Sequence, residues 1–333
     1  MTVAFTICSN NYISQAKALA DSLRKTNPEI RFYIGLTDHF DKIPEPYKLS
    51  FQEYNILEVE EIGIPNLDWM HENYDIIELN TATKPYYFQY LFEKHAEADK
   101  FIFFDPDIVV YRSLNELEHR LDSQDIVLTP HLTKPIEDSR DDFFIHEHDI
   151  LNHGVFNLGF VAINHSENAK RFINWWADRL STQCRHDLCQ GLFVDQLWCN
   201  LAPSYFEKVY TDKDPGKNMA YWNLQERTLS KKNGEYFVNA EHPLIFFHFS
   251  TFNPSIEDNI ATKQNRFTLK NRPDLRELYC DYEKQVTANH FHELKTLSCD
   301  FGKPLEKYKA PSQFASLLSF PFKLATKLIE KYL

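Results

Sequence analysis

Glycine is scarce in this chain, at 8 of 333 residues, and that scarcity excludes several phosphate-binding designs. Residues 6–14 read TICSNNYIS, with no glycine where a sugar-activating nucleotidyltransferase opens on a glycine-rich loop. A haloacid-type phosphatase would need its nucleophilic aspartate near the first strand, and no DxD stands there. No run approaches the roughly 18 apolar residues that span a bilayer. The start, MTVAFTICSNNY, lacks the basic-then-apolar order of a signal peptide. No Lys/Arg-rich tract occurs, and a formal net charge of −12 repels nucleic acid, so no nucleic-acid partner is expected. The six cysteines lack CxxC spacing and read as free thiols of a reducing compartment. The alternative for two of them is a zinc site from Cys184 and Cys189 with His186. Together these absences predict a cytoplasmic protein.

What the chain does have is aromatic residues, 15 % of the total with 27 Phe and 17 Tyr. A long, aromatic chain without a fixed-period repeat buries a large core and is neither disordered nor a solenoid. Val3–Cys8 reads as a buried strand. Helical spacing follows over Ile13–Lys25, where Ala16, Leu19, Ala20 and Leu23 share a face. Asn27-Pro28 stops that helix, and Arg31–Leu36 is a second strand. This β-α-β start predicts an α/β fold: a mostly parallel central sheet flanked by helices. Tyr54–Ile62 is a third or edge strand. Leu79–His95 is a helix with Pro85 near its start. Phe101–Phe104 and Asp125–Thr129 are strands, and Pro130–Ile150 is an exposed acidic loop. Val155–Asn164 is a strand bent at a glycine, Ala169–Leu180 and Phe193–Leu201 are helices, and Leu244–Phe249 is a late apolar strand.

The richest stretch is Phe101–Tyr111, FIFFDPDIVVY. An apolar strand ends in Asp105-Pro106-Asp107. In extended backbone the two carboxylates point the same way. At the carboxyl end of a parallel strand they stand where open α/β sheets bind ligands. Two close carboxylates repel unless a cation lies between them, and a hard divalent ion with a diphosphate is the candidate. The other reading is a capped turn, where Asp-Pro is common. A second DxD, Asp212-Lys213-Asp214, has no strand leading in and reads as a solvated turn.

Six words stand in order around the first pair: NTATKPYYFQYLF (80–92), KFIFFDPDIVVYRSL (100–114), NHGVFNLGFVAIN (152–164), GLFVDQLWCNLAP (191–203), MAYWNLQER (219–227) and PLIFFHFSTFNP (243–254). Over residues 2–254 the chain resembles bacterial nucleotide-sugar glycosyltransferases of the GT-A fold related to family 8. The resemblance implies a domain over 1–254; beyond it the pattern turns polar and helical, so 255–333 reads as a helical C-terminal extension packing on the domain or touching membrane. It implies that Asp105, Asp107 and His248 hold Mn2+ or Mg2+, which bridges the donor diphosphate. Thr6, Cys8, Asn10, Tyr12 and Asp38 match the nucleoside pocket. Lys84 matches a basic residue near the diphosphate or the first aspartate. Asn157 and Gly159 match the strand lining the sugar pocket, and Trp222 and Asn223 a segment beside donor or acceptor. Asp195 and Gln196 match the catalytic pair near the anomeric carbon.

The implied reaction is metal-dependent transfer of a hexose, from a UDP-linked donor, to a glycan or lipid-linked glycan acceptor in surface polysaccharide synthesis, with retained configuration. An inverting enzyme would need a base, available as Asp141, Asp142, Glu147 or Asp149. A catalytically inactive sugar-binding scaffold is the non-enzymatic alternative. Two family words are altered here: DQD reads Asp195-Gln196-Leu197, and HxxGxxKPW reads His248 to Pro254 without its glycine and lysine. The last segment, 314–333, carries Lys323, Lys327 and Lys331 beside an apolar stripe. It either packs on a protein surface or makes peripheral contact with the inner face of the cytoplasmic membrane.

Overall fold

The computed structural model describes residues 1–137 and 143–304. The expected amphipathic segment 314–333 lies outside them. One compact unit runs Met1–Lys303 and takes in residues 255–303, the first part of the expected C-terminal extension.

The centre is a seven-stranded sheet. Its strands are β1 (Thr2–Cys8), β2 (Arg31–Leu36), β3 (Asn55–Glu58), β4 (Lys100–Phe104), β6 (Ile126–Pro130), β7 (Phe156–Asn164) and β8 (Val209–Thr211), with β5 (Ile108–Val110) outside it. The order is β8-β6-β7-β4-β1-β2-β3. All neighbours are parallel except those of β7, which runs antiparallel to both β4 and β6. β1 is buried along its whole length, as its unbroken apolar run requires of a central strand. Helix α1 (Ile13–Thr26) packs on the sheet through Ala16, Leu19, Ala20 and Leu23.

Several elements differ from their sequence pattern. The helix expected over Leu79–His95 divides at Thr83 into α2 (Ile76–Ala82) and α3 (Lys84–Lys94). Asp75 caps α2, accepting from the Ile77 and Glu78 amides at 2.8 and 2.9 Å. Pro85 opens α3, where its missing N–H costs nothing. The acidic loop contains α4 (Glu147–His153), and α5 (Glu167–Gln183) follows β7. Phe193–Leu201 holds only a short helix, α6 (Gln196–Cys199). The late apolar strand is β9 (Phe246–His248), which pairs antiparallel with β5 rather than joining the main sheet. Beyond it, α7 (Arg276–Ala288) packs against α1.

Asp212-Lys213-Asp214 is not a solvated turn. Asp212 is 4 % exposed and Lys217 3 %, and they pair at 2.8 Å. Lys217, five residues on, is the cation that lets these carboxylates enter the protein.

Candidate metal and sugar-nucleotide site

Three phenylalanines bring three strands to one point. Phe104, Phe160 and Phe246 pack with ring centroids 4.9–5.5 Å apart. Each stands close in sequence to a residue of the site: Phe104 precedes Asp105, Phe160 follows Gly159, and Phe246 lies two before His248. In β9 alternation sends Phe246 and His248 to the same side.

Asp105-Pro106-Asp107 is a turn between β4 and β5, not extended strand as the spacing suggested. The Ile108 amide closes it onto the Asp105 carbonyl at 3.2 Å, with Pro106 at a position whose φ it pre-sets. Two further backbone bonds pin the turn: Asp105 N donates to Gly159 O at 2.7 Å, and Phe249 N to Asp107 O at 2.8 Å. His248 Nε2 lies 2.9 Å from Asp107 Oδ1 and 3.7 Å from Asp105 Oδ2. Asp105, Asp107 and His248 offer one ligand atom each, all within 4.8 Å of one another. Among the described residues this is the one group of its kind, so Cys184, His186 and Cys189 form no such cluster.

Two hard oxygens and one imidazole suit Mn2+ or Mg2+. Asp105 and His248 close over Gly159, which has no side chain to keep them apart. A Cβ there would meet Asp105 Oδ2 at 2.7 Å, Asn157 Oδ1 at 2.9 Å, and His248 Cε1 closer still. The residues therefore fit a divalent ion. Burial opposes charge on His248, but Asp107 and Asp105 outweigh it and raise its pKa. Burial raises the Asp105 carboxyl, against the pull of Lys84 and His248.

Lys84 is the buried cation of the site. Its Nζ donates to Asp195 Oδ2 and to the Leu158 carbonyl, both at 2.9 Å, and stands 3.7 Å from Asp105 Oδ1. Burial disfavours its charge, yet Asp195 and Asp105 raise its pKa. Burial pushes Asp195 up to about 6 despite Lys84. Lys84 thus links the metal carboxylate to Asp195 across β7.

Gln196 lies beside them. Its Oε1 accepts from Leu158 N and Asn157 Nδ2, both at 3.3 Å, and its Nε2 donates to His153 O at 3.0 Å. Trp222 is buried with its ring edge-on to both His248 and His131. Asn223 is fully buried and spends its amide inside the protein, on Ala220 N, His131 O and Asn218 O.

The expected nucleoside residues line the carboxyl ends of β1 and β2. Thr6 and Cys8 are buried within β1, and burial pushes the Cys8 thiol well up. Thr6 Oγ1 and Asn10 Oδ1 are buried without a partner. Asp38 is fully buried and accepts from the Asn10 and Asp300 amides at 3.1 and 2.9 Å, so it binds the chain to itself. Tyr12 remains 41 % exposed, its phenol raised by the surrounding protein and by Asp107 and Asp105. Of the acidic-loop carboxylates, Asp149 is buried and accepts from His146 N at 2.7 Å, and Glu147 accepts from Ile136 N at 3.3 Å. Asp141 and Asp142 lie outside the described residues.

Sequence reasoning missed His131 and Asn218. Both are buried polar residues of the site, and neither stands in a motif. The one available signal for Asn218 is its residue type, since its φ of 53° is a left-handed conformation that asparagine tolerates.

Known proteins place this geometry in a family. Residues 3–251 match glycosyl transferase family 8. Bacillus subtilis (strain 168) YfnF is 26 % identical over 307 residues, 91 % of this chain and 97 % of that protein. YfnD of the same strain is 24 % identical over 253 residues, 74 % of this chain and 76 % of that protein. Among solved structures, the bifunctional glycosyltransferase WbbM aligns with a TM-score of 0.50 and 14 % identity, covering 86 % of this chain and 51 % of that one. The galactosyltransferase LgtC, solved with donor and acceptor sugar analogs, aligns with a TM-score of 0.48 and 16 % identity over 90 % of this chain and 98 % of that one. The chain belongs to glycosyl transferase family 8: it has the GT-A fold and is a glycosyltransferase that moves a sugar from a nucleotide-sugar donor to an acceptor.

Proposed function

We propose that the chain transfers a hexose from a UDP-linked donor, with retention of configuration, to a glycan or lipid-linked glycan of a surface polysaccharide. The observation that carries this reading is the convergence of Asp105, Asp107 and His248 beside Gly159, with Lys84 paired to Asp105 and Asp195. Mn2+ or Mg2+ bound by those three residues would supply Lewis-acid neutralisation of the diphosphate as it leaves.

The chain's own residues do the remaining work. Lys84 keeps Asp105 and Asp195 paired in a dry setting, where an unpaired carboxylate would take up a proton. Asp195, ionised, accepts from donor-sugar hydroxyls. Asn157 and Gln196 present fixed amides to the sugar, and Gly159 lets Asp105, Asn157 and His248 close up beside it. Tyr12, on the rim, stacks on the base of the donor. Family 8 membership supports retention. The engaged states of Asp149 and Glu147 also favour it over an inverting mechanism with a base from that loop.

The test is a panel of nucleotide sugars with Mn2+ or Mg2+, read by donor hydrolysis, by transfer to glycan acceptors and by thermal shift. Metal-dependent turnover of UDP-hexoses is expected, lost on chelation and in Asp105→Ala and Asp107→Ala. Donor binding unaffected by either substitution would defeat the reading. Binding without any turnover would instead favour the inactive scaffold.

A further inference from the structure

The amide of Asn157 is the hub of a hydrogen-bond chain in which every member has one workable orientation. An amide's oxygen and nitrogen ends have nearly the same shape, so only its partners decide which end faces which way. On one side, Asn157 Oδ1 accepts from Asn218 Nδ2 at 3.0 Å and Gly159 N at 3.3 Å. Asn218 Nδ2 also donates to Thr129 Oγ1 at 2.8 Å, but a hydroxyl can do either. It is the Gly159 N–H, which only donates, that requires the Asn157 oxygen at this end and hence the NH2 of Asn218. On the other side, Asn157 Nδ2 faces His131 Nε2 at 3.4 Å and Gln196 Oε1 at 3.3 Å.

The histidine's orientation follows from its neighbours as well. His131 Nδ1 lies 3.2 Å from the Val155 carbonyl, which only accepts, so Nδ1 carries the proton. Burial holds the ring neutral, its pKa lowered to about 4. Nε2 is therefore a bare acceptor and requires an N–H from Asn157. Turning the Asn157 amide over would set its oxygen against His131 Nε2 and Gln196 Oε1, and its NH2 against Asn218 Nδ2 and Gly159 N. Four good contacts would become four poor ones. Asn223 Nδ2 ties the carbonyls of His131 and Asn218 together at 3.3 and 3.0 Å, so the two ends hold one spacing.

We infer that His131 and Asn218 are positioning residues: by holding the Asn157 amide at its two ends, they add its Nδ2 to the Leu158 amide and the His153 carbonyl that hold Gln196 beside the metal cluster. Neither is among the cluster's ligands. Their effect passes through Asn157, whose Oδ1 crowds over Gly159 together with Asp105 and His248. The inference rests on the proposed place of Gln196 at the reacting centre.

The test compares His131→Leu, which removes the acceptor, with His131→Gln, whose amide oxygen stands near the place of Nε2. Asn218→Asp keeps size and the left-handed backbone but removes the NH2 donor. With Mn2+ and the best donor of the panel, His131→Leu and Asn218→Asp are expected to lower kcat about tenfold or more, with donor KM within about twofold. His131→Gln should recover most of kcat. An activity-independent readout is the Gln196 side-chain NH2 in amide-resolved NMR. It should exchange slowly in wild type and His131→Gln, and quickly in His131→Leu and Asn218→Asp. Should His131→Leu fail to fold, Asn218→Asp against His131→Gln gives the same contrast. The inference is overturned if His131→Gln is as impaired as His131→Leu, or if Gln196 NH2 exchange is the same in all variants. Lack of turnover in wild type would strike the proposed function, while the NMR contrast would still decide this point.

Discussion

Replacing Gly159 by alanine puts a methyl group in place of a hydrogen at the most crowded point of the site. The new Cβ would stand 2.7 Å from Asp105 Oδ2 and 2.9 Å from Asn157 Oδ1. Comfortable C···O separations are about 3.3–3.6 Å, so these groups must retreat by roughly half an ångström or more. His248 Cε1 must retreat further. Gly159 lies in β7 without a left-handed φ, so alanine has no backbone objection and lowers unfolded-state entropy, worth about 0.4–1 kcal/mol. Overpacking costs about 1–3 kcal/mol, which leaves a net loss of roughly 1–2 kcal/mol. Function should suffer more than stability, because two of the three displaced groups are the proposed metal ligands. A loss of about 10–100-fold in Mn2+-dependent nucleoside diphosphate affinity is expected, by the scale of perturbed metal shells. Calorimetric titration of Mn2+ with UDP, alongside denaturant unfolding, measures both. Gly35→Ala is the control: its Cβ would press on Tyr87 at 2.8 Å, in the core, and should cost stability without touching metal affinity. The reasoning is refuted if Gly159→Ala binds within about threefold of wild type while remaining folded.

Asp195 sets a pH window. Its folded carboxyl titrates near 6 and an unfolded one near 3.9, so the group adds stability at low pH that is lost as pH rises through about 6. Its charge, needed toward the sugar, is lost on the acid side. The kcat/KM profile should therefore fall below about pH 6, and a profile flat to pH 5 would contradict the assignment. Lys84→Met leaves buried Asp195 and partly buried Asp105 without their cation and should cost about 3–5 kcal/mol near pH 8, less near pH 5 where Asp195 is protonated. Equal losses at both pH values in denaturant titrations would refute the pairing. His248→Ala should abolish Mn2+-dependent nucleotide binding while sparing the fold, because Phe246 still packs on Phe104 and Phe160.

Local pattern determined much of this protein. The apolar run of β1, the periodicity of α1 and the Asp-Pro-Asp at the end of β4 are each written within a dozen residues, and ordered family words reached Asp105, Asp107, His248, Asp195 and Gln196. Short-range chemistry was also misread where the folded backbone decides. Asp212 looks solvated until Lys217, five residues on, folds against it, and Asp149 looks free until it caps its own helix. Pro106 makes a turn where strand spacing suggested parallel carboxylates.

Only the tertiary structure put His248 against Asp107, across more than a hundred residues, through β9 pairing with β5 and three phenylalanines packing together. It alone gave Lys84 two carboxylates to hold and made neutral, buried groups of His131 and Asn218 into partners of Asn157. The physical reason is common to all of these. Residue type and spacing carry the backbone's local preferences, whereas burial, charge pairing and the sense of an amide depend on which distant groups arrive within about 3 Å.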